Sequence, residues 1–213
     1  MSNEKTPIVH GNYEDKYKAK NPISNFLVSN FIRTFNKNLD SIPAGSVSRI
    51  CEVGCAEGEL LKLLHTAFRE AALYACDISE NEIAKAQQNC AGIPINYSIQ
   101  NAEQLQQYED ASFDLVVCCE VLEHLQDPAK GLQELFRIGR SHLLVSVPNE
   151  PIWRILNLAR AKYVQSLGNT PGHLNHWSPF QFPGFLRAHP DWSMIQRDYP
   201  LPWQMVLLKK IPA

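Results

Sequence analysis

Ile50-Cys51-Glu52-Val53-Gly54-Cys55-Ala56-Glu57-Gly58-Glu59 is the stretch that decides how the rest of the chain is read. It starts as an apolar strand and breaks into a loop of small residues that opens a helix. Val53 and the residues before it supply the strand, while Gly54, Ala56 and Gly58 supply room. From Gly58 onward Leu60, Leu61, Leu63, Leu64, Ala67 and Phe68 recur at helical spacing, so the period changes at the glycines. A loop without large side chains lets a ligand approach the backbone and the helix N-terminus.

Charge selects the ligand. A dinucleotide fingerprint needs G-x-G-x-x-G, with a pyrophosphate on the helix amides. Here the spacing is G-x-A-x-G, and Glu52, Glu57 and Glu59 crowd the loop. Carboxylates there repel a phosphate that depends on the helix dipole, which speaks against a nicotinamide dehydrogenase. They suit a cationic ligand without phosphate, and S-adenosyl-L-methionine, with its sulfonium, ammonium and adenosine, has that character. An ordinary strand-to-helix turn is the alternative, since small residues alone are a weak signal. A second strand, Ala72 to Cys76, ends at Asp77, nineteen positions after Gly58, where a carboxylate can accept both ribose hydroxyls. A third, Ile95 to Ile99, runs into Asn101-Ala102-Glu103, and a fourth, from Ser112, ends in Glu120-Val121-Leu122-Glu123-His124.

These pieces form an ordered set: EVGCAEG (52–58), CDIS (76–79), NAEQL (101–105) and SFDLVVCCEVLEHLQDP (112–128). The set resembles the class I S-adenosylmethionine-dependent methyltransferases, of the type 11/23-like group that contains the quinone-biosynthesis methyltransferases, over about residues 46–148. The resemblance implies that Glu52, Gly54, Cys55, Ala56 and Gly58 hold the methionine part of S-adenosyl-L-methionine. Asp77, with Ile78 beside it, takes the ribose, Asn101 and Ala102 flank adenine, and Glu120 sits near the reacting centre. Tyr17, with Tyr13, is a candidate to cover the sulfonium by cation–π attraction. Ala56 stands where that family usually has glycine; alanine costs little there if its φ is negative.

The expected fold is α/β, a Rossmann-like doubly wound sheet with helices on both faces. It is mostly parallel, with an antiparallel C-terminal strand, because five apolar strands alternate with helical segments from Ser46 to Val147. Trp192 to Arg197 and Met205 to Lys210 read as a final antiparallel pair. One domain over 1–213 is expected: an N-terminal helical lid (1–45), a cofactor-binding core (46–148), an acceptor-side insertion (149–182) and C-terminal strands (183–213). A net charge of −2 and a pI near 6.4 argue against a general nucleic-acid surface. No apolar run reaches the roughly 18 residues of a membrane span. The first residues are polar, without an apolar leader core. The six cysteines lie mostly in strands with no paired C-x-x-C, so buried thiols in a cytoplasmic enzyme are expected, not disulfides or zinc.

Beyond the fifth strand, Ile152, Ile155, Leu156, Ala159 and Tyr163 share one helical face, with Arg154, Asn157 and Arg160 elsewhere. Ser178-Pro179 reads as the start of a helix through Leu186. This segment is the expected place of acceptor selection, with a plain crossover helix and loop as the alternative. A methyl acceptor with an exchangeable proton needs a base, and the candidates are His173 and His176, then His124. The expected function is methyl transfer to a small-molecule or lipid-like acceptor, with no metal, at an oxygen, nitrogen or carbon. An alternative comes from a second resemblance. Glu120, Glu123 and His124 with a later His173 or His176 are similar to the E-x-x-E-H and distal-histidine set of methyltransferases that modify small-RNA 3′ ends, where such residues hold a divalent cation. A catalytically inactive cofactor-binding scaffold is the third reading. The Arg-bearing segment from Ile152 to Val164 also suits peripheral contact with a membrane surface, although most apolar helical faces are core.

Overall fold

The computed structural model describes residues 22–159 and 163–212. Tyr13 and Tyr17 lie outside them. Seven strands form one sheet: β1 (Arg49–Val53), β2 (Ala72–Asp77), β3 (Ile95–Ile99), β4 (Phe113–Cys119), β5 (Gly139–Pro148), β6 (Trp192–Asp198) and β7 (Trp203–Lys210). Their order is β3-β2-β1-β4-β5-β7-β6. The first five run parallel, and β7 lies antiparallel between β5 and β6. The chain winds outward from β1 through β2 to β3, then returns to β4 on the other side of β1. The gap between the β1 and β4 carboxyl ends is therefore the switch point where such sheets bind ligands.

Helices cover both faces: α1 (Pro22–Asp40), α2 (Glu59–Ala67), α3 (Glu80–Asn89), α4 (Pro128–Ile138), α5 (Ile152–Ala159) and α6 (Gln181–Leu186). β4 is buried along its whole length. From Leu115 onward its residues alternate between two cores, as the twofold period of a strand dictates, and the irregularity between Phe113 and Leu115 puts Phe113 in the core of Val116. Phe113, Val116 and Cys118 pack with Leu132, Leu135 and Phe136 of α4, whereas Leu115, Val117 and Cys119 pack with Phe31, Phe35 and Leu39 of α1 and Leu60 and Leu64 of α2. Removing one of these large side chains should cost about 3–5 kcal/mol for phenylalanine. Asp114, the polar residue in that strand, accepts Ser48 and Arg49 N–H through Oδ2 and Arg140 through Oδ1, fixing the end of the sheet away from the ligands.

Two expectations need correction. The described helix beyond β5 covers Ile152–Ala159, Tyr163 at φ +54 is not helical, and the faces are exchanged: Asn157 is buried while Ile155 is exposed. The cause is local, since Asn157 Nδ2 donates to Gly168 O and Thr170 Oγ1 and so closes the chain that follows onto the helix. The start of α6 is a reciprocal cap, with Ser178 Oγ accepting Gln181 N–H and Gln181 Oε1 accepting Ser178 N–H. All six cysteines are free and buried.

Candidate active site

The loop after β1 is shaped by backbone conformations that small residues permit. Gly54 has φ +77, and a Cβ there would meet Val121 Cγ2 at 2.2 Å, so the β1 and β4 turns touch at this glycine. Gly54 and Cys55 N–H both donate to Cys76 O, tying the loop to β2. Ala56 does not meet the condition under which alanine costs little: its φ is +45, a left-handed conformation that costs an L-residue roughly 1–2 kcal/mol. Asp77 holds it there, its Oδ2 accepting Ala56 N–H at 3.0 Å. Gly58, at φ +85, is the N-cap of α2.

A cleft opens above this loop, lined by Glu52, Gly54, Cys55, Ala56, Glu57, Glu59 and Leu60, with Phe31 of α1 and Cys119 and Glu120 of β4 and its turn. Among the described residues its lining holds four carboxylates and no Lys or Arg. Glu52 Oε2 is buried without a hydrogen-bond partner. Burial, and then the neighbouring Asp77, push the Glu52 carboxyl well above the usual range. Burial raises Asp77 as well, against the pull of the Ser79 and Ala56 amides. An orphaned carboxylate in an acidic cleft fits an ammonium or sulfonium and would repel a pyrophosphate.

Of the other expected cofactor residues Glu120 lines this cleft, whereas Asp77, Ile78, Asn101 and Ala102 are not in its lining. Asp77 stands at the end of β2, with Oδ1 on Ser79 N–H, and Ile78 beside it is 61% exposed. Asn101 Oδ1 accepts Glu103 N–H, and Ala102 is buried in the core under α4. Glu120, at φ +62, is buried and accepts Ser146 Oγ–H at 3.1 Å.

A second constellation follows Glu120. The 3-10 turn Leu122–His124 meets the loop 170–177, with Leu174 and Asn175 N–H both donating to Glu123 O and Asn175 Nδ2 to Leu125 O. This seam brings His173 to His124, with ring centroids 4.9 Å apart, and Trp153 of α5 stacks on His173. One ligand-capable atom from each of Glu123, His124 and His173 lies within 4.8 Å of the others. His124 Nδ1 donates to Gly172 O at 2.9 Å, which fixes the tautomer and leaves the lone pair on Nε2. His176 goes elsewhere: Nε2 donates to Asn169 Oδ1 at 2.8 Å, and burial, then Arg154, lower its pKa, so the ring is neutral near pH 7. Of the three candidate bases, His173 and His124 are thus in ring contact, while His176 bonds to Asn169. Sequence reasoning did not find Phe31, Trp153 or Gly172; Phe31 is one of a regular core stripe, and nothing local marks that it reaches the cleft.

Residues 51–142 match the family described as "Methyltransferase domain". Among curated relatives, a ubiquinone biosynthesis O-methyltransferase of Xanthomonas axonopodis pv. citri is 29% identical over 68% of this chain and 61% of its own. A malonyl-[acyl-carrier protein] O-methyltransferase of Anoxybacillus flavithermus is 35% identical over 46% of this chain and 38% of its own. The chain thus spans about three fifths or less of the length of these relatives. Among solved structures, magnesium protoporphyrin IX methyltransferase from Synechocystis PCC 6803 with bound S-adenosylhomocysteine superposes with a TM-score of 0.68 at 19% identity, covering 93% of this chain and 92% of that one. The [4+2]-cyclase SpnF superposes at 0.64 and 13% identity, covering 84% and 81%. The acidic cleft lies at the switch point of this fold, and residues 51–142 are a methyltransferase domain of the class I S-adenosylmethionine-dependent type.

Proposed function

We propose that this protein transfers the methyl group of S-adenosyl-L-methionine to an oxygen of a small-molecule or lipid-like acceptor. The carrying observation is the contiguity of two sites along β4. Glu120 lines the acidic cleft, and three and four residues later Glu123 and His124 meet His173. Both curated relatives above are named O-methyltransferases, which supports oxygen as the acceptor atom. The cofactor, when bound, supplies a methyl group already activated on a sulfonium. The chain's part is to align the acceptor, an effect worth several kcal/mol, and to take its proton at an imidazole. His124 Nε2 carries the lone pair for that step. Purified protein given S-adenosylmethionine and a catechol such as 3,4-dihydroxybenzoate should release S-adenosylhomocysteine and a methyl ether. Binding of S-adenosylhomocysteine with no turnover on oxygen, nitrogen, carbon and sulfur acceptors would favour the scaffold reading instead.

The grouping of Glu123, His124 and His173 favours a second reading, in which the same side chains hold a divalent cation. One carboxylate and two imidazoles fit Mn2+ or Zn2+ better than Mg2+, which prefers an all-oxygen shell. Such an ion would supply charge to a vicinal diol, whether a catechol or a terminal ribose. The bond from His124 to Gly172 O is the outer-shell contact that orients a ligating ring. Calorimetry with Mn2+ should then show a binding heat that His173→Ala abolishes, and EDTA should lower turnover by about tenfold or more. Full activity in EDTA together with no Mn2+ heat would leave the imidazole-base reading alone.

A further inference from the structure

Four of the buried polar atoms that have no hydrogen-bond partner come from one short segment: Asn149 Oδ1, both carboxylate oxygens of Glu150, and Nε of Arg154. They belong to the stretch where the chain leaves β5 and turns into α5, at the carboxyl edge of the sheet. The backbone there is pinned on both sides. Asn149 N–H donates to Pro202 O just before β7, and Glu150 N–H donates to Trp177 O in the loop before α6. Gly168 closes on the first turn of α5, since a Cβ there would lie 2.4 Å from Arg154 O. With the main chain held in this way the segment does not shift to pair its own side chains, and Glu150 stays inside at 7% exposure. Buried polar groups in that state cost stability unless a further molecule satisfies them.

Glu150 and Arg154 are four residues apart and of opposite formal charge, yet no hydrogen bond joins them, because neither Glu150 oxygen has a partner. Burial pushes the Glu150 carboxyl up from its usual range, against the weaker pull of Arg154. A carboxyl that keeps its proton donates a hydrogen bond. The Arg154 charge also reaches His176, where it adds to the lowering by burial. No aspartate or glutamate occurs from Pro151 to Pro190, whereas the lining of the cofactor cleft holds four carboxylates among the described residues. Regions of opposite sign thus flank the carboxyl edge of the sheet. An aromatic layer runs between them: Trp153 stacks on His173 and meets Trp203, and Trp203 meets Phe31 of the cleft.

We infer that Arg154 and Glu150 form a receptor for a carboxylate carried by the methyl acceptor. The guanidinium fork matches the two oxygens of a carboxylate, and the protonated Glu150 carboxyl adds a donor to the same group. An anion seated there disfavours ionisation of Glu150 still further, so the receptor and its ligand hold one proton between two carboxyls. An ammonium in that place would be repelled by Arg154. The acidic cofactor cleft repels a carboxylate, and this orients the acceptor, with its anionic end toward α5 and its uncharged nucleophile toward the methyl donor. The inference rests on the methyl-transfer reading for what carries the carboxylate, whereas the binding step needs no turnover.

The test titrates benzoate, 3,4-dihydroxybenzoate and hexanoate into the full chain saturated with S-adenosylhomocysteine, with 3,4-dihydroxybenzamide as the uncharged counterpart. 3,4-Dihydroxybenzoate should bind at least about tenfold more tightly than its amide, and Arg154→Gln should remove that preference. Glu150→Gln keeps a donor in place and should preserve it. Arg187→Gln, at an exposed position of the same acid-free stretch, should change neither affinity. Arg154→Gln should melt no lower than the parent, because Nε has no partner in the fold to lose, and should bind S-adenosylhomocysteine normally. Equal affinity for the acid and the amide is the result if ordered water alone satisfies these groups, and it overturns the receptor. So does a preference unaltered in Arg154→Gln, or no binding by any of the three carboxylates. A chain that binds carboxylates through Arg154 but methylates no acceptor supports the receptor and refutes methyl transfer alone.

Discussion

Asp77→Ala is expected to weaken S-adenosylhomocysteine binding by about a hundredfold while leaving the chain folded. The carboxylate stands at the carboxyl end of β2, where a nucleoside ribose lies in sheets of this topology. Two hydrogen bonds from ribose hydroxyls to a charged acceptor are worth about 1.5–3 kcal/mol each. The same carboxylate also holds Ala56 at positive φ, so its loss relaxes the loop that shapes the cleft. Stability changes little because two opposing terms meet: the amides of Ala56 and Ser79 lose an acceptor, and a buried carboxyl with a raised pKa disappears. Calorimetry and thermal melting on the same preparation separate the two effects. Unchanged affinity would remove Asp77 from the binding site.

Glu52→Gln should move stability and binding in opposite directions. The folded chain holds the Glu52 proton more tightly than the unfolded chain does, because burial and Asp77 disfavour its ionised form. Its contribution to stability is therefore complete below the ordinary glutamate pKa of about 4.3 and is lost as pH rises through the raised folded value. Removing the charge should stabilise the empty protein by about 1–2 kcal/mol at pH 8, a few degrees in melting temperature, and by almost nothing at pH 4. Binding of the cationic cofactor should fall about tenfold or more at neutral pH, since the orphaned oxygen is lost as an acceptor. If the Glu52→Gln chain were less stable than the parent at pH 8, the carboxylate would have to be satisfied within the fold.

The strand framework was legible because β4 and β1 are apolar runs bounded by small or polar residues, and the acidic glycine loop marked its ligand by charge alone. The cost of Ala56 was left conditional on its φ, because that conformation is set by Asp77, 21 positions away at the end of β2. The α5 face was misjudged for a similar reason: helical spacing finds an apolar stripe but does not say which side the core takes. Here the Asn157 amide, recruited by Gly168 and Thr170, decides that orientation. The E-x-x-E-H spacing pointed to Glu123 and His124, but choosing His173 over His176 required the seam between Glu123 O and the amides of Leu174 and Asn175. Phe31 reaches the cleft only through the packing of α1 on the sheet, which no local pattern records.

Titration calorimetry with S-adenosylmethionine at pH 5 and pH 7, in buffers of different protonation enthalpy, tests the electrostatic origin of the site most directly. The ligand's ammonium keeps its charge across that range, so any pH dependence belongs to the protein. Affinity should rise with pH, with protons released to the buffer as the cation drives the Glu52 and Asp77 carboxyls to ionise, and NAD should give no heat. Equal affinity at both pH values without proton release, or NAD binding in place of the methyl donor, would contradict a cleft built around carboxylates for a cationic nucleoside.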